Sequence, residues 1–175
     1  MEAELFVNGK SQGRIRKNPA ERLDRYRLRW NNVKYEPGEI RVVAYDAQGN
    51  QIGEDSKRTA GTPVALMAKA DRKWYRANGE DLVFVTVSVE DAKHVAVPIC
   101  DNELTFSVEG AGLFEAVCNG DATSLESFKQ PKMKLFNGEL VVIIRTTSKP
   151  GNIRLHIKDR KGKLHPATIL IHTQE

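Results

Sequence analysis

Acidic residues stand close together at several points of this sequence: Glu80-Asp81, Glu90-Asp91, Asp101 with Glu103, and then Glu115, Asp121 and Glu126. Two carboxyl groups about 5–5.5 Å apart, one with a raised pKa, can cleave a glycosidic bond with retention of configuration. These acids, however, fall at strand ends and turns, where Asp and Glu take water or accept local backbone N–H groups. None is assigned a catalytic role, and this chain by itself is not expected to be an enzyme. The four histidines, His94, His156, His165 and His172, lack the spacing of a His-Glu-x-x-His zinc motif. There is no Gly-x-Ser-x-Gly elbow, P-loop or dinucleotide fingerprint, so no metal or cofactor is expected. "CNGDATSLESF" (118–128) offers too few oxygen ligands for calcium. It reads as a structural turn, with Phe128 returning to the core.

Two features could bind rather than react. Trp74-Tyr75, in "DRKWYRANGED", are the candidate carbohydrate-binding residues, because an exposed aromatic ring can stack on the apolar face of a pyranose. Neighbours in a strand face opposite ways, so at most one of the two can be such a platform, and the other is expected to plug the sandwich. In "DRYRLRW" the residues alternate, with Tyr26, Leu28 and Trp30 expected on one strand face and Arg25, Arg27 and Arg29 on the other. Those three arginines read as an interface toward another domain, since Arg is enriched at interfaces. A single-strand nucleic-acid site would put aromatics among the arginines; here they fall on the opposite face, and no nucleic-acid partner is expected.

The charge balance agrees. With 27 Lys and Arg against 23 Asp and Glu, the 175-residue chain carries a formal charge of +4, which permits nucleic acid without demanding it. The densest positive region, Arg14, Arg16 and Lys17 with Arg22, Arg25, Arg27 and Arg29, could meet phosphates but reads as exposed arginines over a core face. Cys100 and Cys118 are too few for a disulfide framework. They read as two free, buried thiols, with a single bridge as the alternative. No apolar run reaches the ~20 residues of a membrane span. "MEAELFVNGK" lacks the charged and apolar regions of a signal peptide.

The elements that must position these residues are strands, for the period is two almost throughout. Asn8-Gly9 and Asn137-Gly138 each read as a tight hairpin turn. "DLVFVTVSVED" is a long strand with Leu82, Phe84 and Thr86 on one face and Val83, Val85, Val87 and Val89 on the other. "NPAERLDRY" holds at most one helical turn. Many short strands punctuated by Gly, Pro and Asn indicate an all-β sandwich. "YEPGEIRVVAYDAQGN" (35–50) is echoed by "SKPGNIRLHIKDRKGK" (148–163), which suggests two related units. We expect a partial immunoglobulin-like unit over 1–58, a linker at 59–63 and a complete sandwich over 64–175. Far fewer residues precede Pro37 than separate Pro63 from Pro150, so the first unit is expected to lack its opening strands. An edge left open this way is expected to self-associate.

"ELFVNGKSQGR", "RLRWNNVKYEPGEIRVVAYDAQGN" and "GLFEAVCNGDATSLESF" together resemble the C-terminal sandwich region of glycoside hydrolase family 2, the β-galactosidase and β-glucuronidase group. The resemblance covers nearly the whole chain, and "ELFVNGK" with "NGDATS.ESF" is its most specific part. It implies two successive immunoglobulin-like domains whose partners are the catalytic and other domains of one polypeptide, with a homo-oligomer allowed. The parent enzyme would hydrolyse a terminal β-glycoside with retention, and relatives of this kind are often periplasmic or secreted. Its two glutamates would sit in a (β/α)₈ barrel, which takes ~250 residues of alternating strand and helix and is not found here. The resemblance therefore implies accessory domains that pack on the barrel, brace an oligomer or shape the substrate entrance. The alternative is a free-standing carbohydrate-binding or cell-surface adhesion module.

Overall fold

Residues with period-two alternation pair edge to edge, and the computed structural model, which describes residues 2–175, contains thirteen strands. They are β1 (Glu2–Val7), β2 (Lys10–Arg16), β3 (Glu39–Tyr45), β4 (Gln51–Arg58), β5 (Pro63–Ala70), β6 (Tyr75–Arg76) and β7 (Leu82–Asp91), followed by β8 (Glu103–Gly110), β9 (Gly112–Cys118), β10 (Lys132–Lys134), β11 (Glu139–Thr146), β12 (Gly151–Asp159) and β13 (Ala167–Gln174). The chain is all-β and divides into two compact units, the first ending at Thr59 and the second spanning Ala60–Glu175.

The first unit is one antiparallel sheet in the order β2-β1-β3-β4. Asn8 and Gly9, at φ 50° and 79°, make the tight β1–β2 turn expected of that dipeptide. One sheet face carries Ala3, Leu5 and Val7, all buried, opposite Ala44, Val42 and Ile40. The other carries paired charges: Glu2 with Arg14 and Arg16, and Glu39 with Arg58. Arg14 and Arg41 also lie over the rings of Tyr45 and Phe6.

The strand expected over Arg25–Trp30 does not form. Residues 17–38 cross from β2 to β3 through turns held by local bonds. Asn18 Oδ1 accepts the N–H of Ala20, and the Arg25 N–H donates to the Glu21 carbonyl at 2.9 Å, the single helical turn anticipated there. Arg25 Nε donates to the Pro19 carbonyl, Arg29 pairs with Asp24 at 2.7 Å, and Trp30 Nε1 donates to the Gly13 carbonyl. With these local bonds made and no ladder formed with a neighbouring strand, the alternation has nothing to enforce it. Tyr26 is 80% exposed rather than sharing a face with half-buried Leu28 and Trp30.

The second unit is a sandwich of two sheets, β10-β8-β12-β13-β6 and β5-β7-β11-β9. Val83, Val85, Val87 and Val89 of β7 are fully buried and meet Ile153, Leu155 and Ile157 of β12 in one core. The register that places them is set by β11, where Val142 pairs with Val85. Cys100 is a free thiol in this core, whereas Cys118 is free but only half-buried, so the expectation of two buried thiols holds for one of them. All strand pairings in the unit are antiparallel except β13 with β6. Just before β13, His165 also bridges β5 in parallel, its N–H on the Val64 carbonyl and its carbonyl accepting the Leu66 N–H. The last strand is thereby tied to both sheets.

The echoed stretches differ at one end and agree at the other. Gly38 has φ +136°, and a Cβ there would run into the Asn8 side chain; Gly151 has no positive φ and already belongs to β12. Their far ends close alike. The Asp46 carboxylate accepts the N–H groups of Gln48 and Asn50, and that of Asp159 accepts those of Lys161 and Lys163. Asp91 makes the same loop a third time, with Lys93 and Val95. The residue three after the aspartate is left-handed each time: Gly49, Gly162 and His94, the last at φ 60°.

Candidate functional site

Trp74 and Tyr75 lie where the chain leaves β5 and enters β6. Asp71 sets the bend: its N–H donates to the Phe84 carbonyl and its Oδ1 accepts the Phe84 N–H, at 2.9 and 3.0 Å. Tyr75 then turns inward and is 2% exposed, so it is the plug, while Trp74 turns outward and is 62% exposed. The Tyr75 hydroxyl lies 2.8 Å from Asp71 Oδ1 and 2.9 Å from the Arg72 carbonyl, and it accepts the Arg72 N–H. Burial pushes the phenol up to about 12, with the Asp71 carboxylate adding to the shift.

Behind Trp74 stands a clamped charge network. The Arg72 guanidinium reaches Asp71 Oδ2 at 3.1 Å, Asp81 Oδ1 at 2.9 Å and the Leu82 carbonyl at 2.8 Å, and it lies over the Tyr75 ring. The other oxygen of Asp81 accepts the Arg76 N–H, and Asn78 Oδ1 accepts the N–H groups of Glu80 and Asp81. The Arg76 N–H and the Arg72 guanidinium hold the Asp81 carboxyl below its ordinary range. Burial works upward on Asp71, but the Phe84 N–H, the Tyr75 hydroxyl and Arg72 outweigh it and the carboxyl is lowered. Trp74 stands at an open hollow of about 720 Å³, whose wall includes Arg76, Asn78, Glu80 and Gln174. Sequence reasoning found the aromatic pair but missed the Arg72–Asp81 clamp; its signal was the alternation of acids and bases around the pair in "DRKWYRANGED".

Several of the acids considered for catalysis are spent on structure. Asp91 is held low by the N–H groups of Gly61, Val95 and Lys93, Glu103 by Arg160, and Glu115 by Lys129 and Arg145. Asp121 is held low by the Thr123 hydroxyl and N–H. A general acid needs the opposite shift. His94 sits 3.0 Å from Glu90, His156 bonds Thr168 and His172 bonds Asn152. Among the described residues no three His, Cys, Asp or Glu side chains gather as metal ligands.

The "CNGDATSLESF" segment is the hydrogen-bonded turn expected: Asn119 donates to the Lys134 carbonyl and Glu126 accepts the Lys134 N–H. Phe128, however, does not return to the core. Its carbonyl accepts the Val117 N–H while the ring stays 55% exposed. Leu125 is wholly exposed, and the outward face of the β5-β7-β11-β9 sheet presents Met67, Phe84 and Leu113 to solvent. That face was foreshadowed by a β7 strand apolar on both sides. Arg25, Arg27 and Arg29 are exposed in the β2–β3 connection; Arg27 and Arg29 border a cavity of about 60 Å³ shared with Ile15 and Leu28.

The sequence and the fold are similar to those of known proteins. The chain is 43% identical over 154 residues to the Beta-galactosidase BoGH2A of Bacteroides ovatus, an alignment covering 88% of this chain and 17% of that protein. The crystal structure of a glycosyl hydrolase family 2 member from Bacteroides cellulosilyticus superposes with a TM-score of 0.89 at 28% identity, over 99% of this chain and 22% of the other. A beta-glycosidase from Bacteroides vulgatus shares the fold, with a TM-score of 0.82 at 22% identity, over 98% and 21% of the two chains. The chain thus spans less than a quarter of the length of each. Residues 1–53 match a family described only as a domain of unknown function, DUF4982. Residues 66–169, more than half of the chain, match the glycoside hydrolase family 2 C-terminal domain 5, and the chain belongs to that family.

Proposed function

We propose that this chain is the non-catalytic accessory region of a retaining β-galactosidase, its two units joined through residues 59–63 and packed against the rest of a longer polypeptide. The identity with the Bacteroides ovatus β-galactosidase carries this reading. In it, the two catalytic glutamates belong to another part of the polypeptide. The apolar face around Met67, Phe84 and Leu113, with Leu125 and Phe128, supplies the docking surface, since exposed apolar area of this kind marks interaction sites. Arg25, Arg27 and Arg29 supply a polar interface of the first unit, toward the same polypeptide or a second copy.

The test is made in the full-length polypeptide, with Phe84→Asp as the variant. Hydrolysis of nitrophenyl β-galactoside by the wild type is expected, with retained anomeric configuration. Phe84→Asp should open the region to limited proteolysis and lower the unfolding midpoint. An unchanged cleavage pattern and midpoint would overturn the docking role, and no turnover of the galactoside would overturn the parent activity.

A further inference from the structure

Trp74 is the most solvent-exposed large aromatic of the second unit, and the chain spends structure on keeping it there. Tyr75 is locked inward at its hydroxyl, which accepts the Arg72 N–H and has Asp71 Oδ1 and the Arg72 carbonyl within reach of its one proton, and this forces its neighbour outward. The bend before it is fixed by Asp71, and the ground behind it by the Arg72–Asp81 pair. A ring on so rigid a base is presented before any ligand arrives, which is what an efficient binding group needs.

We infer that Trp74 and the adjoining hollow form a glycan-binding site for a neutral, galactose-containing oligosaccharide. The hollow's volume, about 720 Å³, falls among those of small-ligand sites, roughly 300–1,000 Å³. Its wall is polar, so it suits a polyol rather than an apolar ligand. A pyranose offers an apolar C–H face and a rim of hydroxyls, and the site offers both complements. The indole takes the face; Arg76, Asn78, Glu80 and Gln174 donate to or accept from the rim. Among the described residues Arg76 and Glu80 have no ion-pair partner, and Asn78 has its amide N–H groups unspent. Arg72 and Asp81 neutralise one another, and Glu175 also lines the wall, so Arg76 stands against two carboxylates, Glu80 and Glu175, which favours an uncharged sugar over a uronate or a sulfated one. The site follows from the geometry; the choice of galactose rests on the parent activity proposed above.

The experiment is affinity electrophoresis of the full-length polypeptide in gels containing soluble β-1,4-galactan, with nitrophenyl β-galactoside turnover assayed in parallel. The wild type should be retarded. Trp74→Ala should weaken binding about tenfold or more, the loss of one stacking contact, with nitrophenyl turnover unchanged. Arg76→Ala should weaken it by a smaller factor. Equal retardation of wild type and Trp74→Ala, or retardation of neither, would overturn the site. Absence of nitrophenyl turnover in the wild type would overturn the galactosidase reading alone, and retardation in the gel would still decide the role of Trp74.

Discussion

Asn8 and Glu39, far apart in sequence, are joined by two hydrogen bonds, and a third ties Asn8 to Pro37. The Asn8 N–H donates to the Glu39 carbonyl at 2.8 Å, Asn8 Oδ1 accepts the Glu39 N–H at 2.8 Å, and Asn8 Nδ2 reaches back to the Pro37 carbonyl. The asparagine of the β1–β2 turn thus fastens the Pro37-Gly38 entry to β3. It also explains why Gly38 must lack a side chain, since Asn8 fills the space. Asn8→Ala removes two side-chain bonds worth roughly 0.5–1.5 kcal/mol each and leaves a Cβ residue at φ 50° without local compensation. The first unit should lose about 2 kcal/mol, and Asn8→Gly about half of that, read by urea unfolding through Trp30 emission.

Tyr75 makes the second unit sensitive to alkali. Its folded pKa, near 12, lies above the ordinary 10.0, so the stability it contributes is full below pH 10 and declines as pH rises through 12. Tyr75→Phe should cost roughly 1–2 kcal/mol at neutral pH through the lost hydroxyl bonds. The variant should also flatten the fall in unfolding midpoint between pH 10 and 12, measured by circular dichroism.

Acid acts through the aspartate loops. Asp46 is lowered chiefly by the Asn50 side chain and Asp91 by the Gly61 N–H. Burial works upward on Asp159, but the N–H groups of Lys163 and Lys161 outweigh it. Each folded pKa lies below the ordinary 3.8, so these contributions are present above that value and are lost as pH falls through it toward the folded values. The unfolding midpoint should drop steeply below about pH 4. Asp159→Asn should show a shallower drop, and a variant with the wild-type acid profile would contradict the assignment.

At the left-handed position of these loops, His94 and Gly162 invite opposite substitutions. Gly162 has open space around it, so Gly162→Ala tests the backbone alone and should cost about 1 kcal/mol. His94→Gly should gain about 0.5 kcal/mol, relief of the φ 60° conformation exceeding the flexibility added and the exposed contact with Glu90 lost. Thermal unfolding of the two variants beside the wild type checks both signs.

The strands of the second unit were legible because burial enforces their period: the valines of β7 could face only inward. "DRYRLRW" shows the same alternation, yet no neighbouring edge pairs with it, and an Asn18 cap with an Arg29–Asp24 ion pair prevails. Phe128 misled for a related reason. A ring beside a turn reads as core, but here the carbonyl rather than the ring makes the inward contact. Trp74 and Tyr75 could be separated by parity in advance; which one turned inward depended on Asp71, whose bond to Phe84 no sequence period announces. The third aspartate loop also escaped notice, because His94 holds a place that glycine fills in the other two.

The parallel pairing of His165 with β5 bears on how the second unit behaves under tension. Strands β5 and β13 enter and leave it running in the same direction, so a pull on the chain at Ala60 and Glu175 slides them past one another. The bonds of His165 to Val64 and Leu66 are then loaded together in shear rather than opened one by one. The β6–β13 ladder at the other end of the strand shares the same load. A unit closed in this way is expected to resist extension between these two points more than one whose terminal strands could peel apart bond by bond.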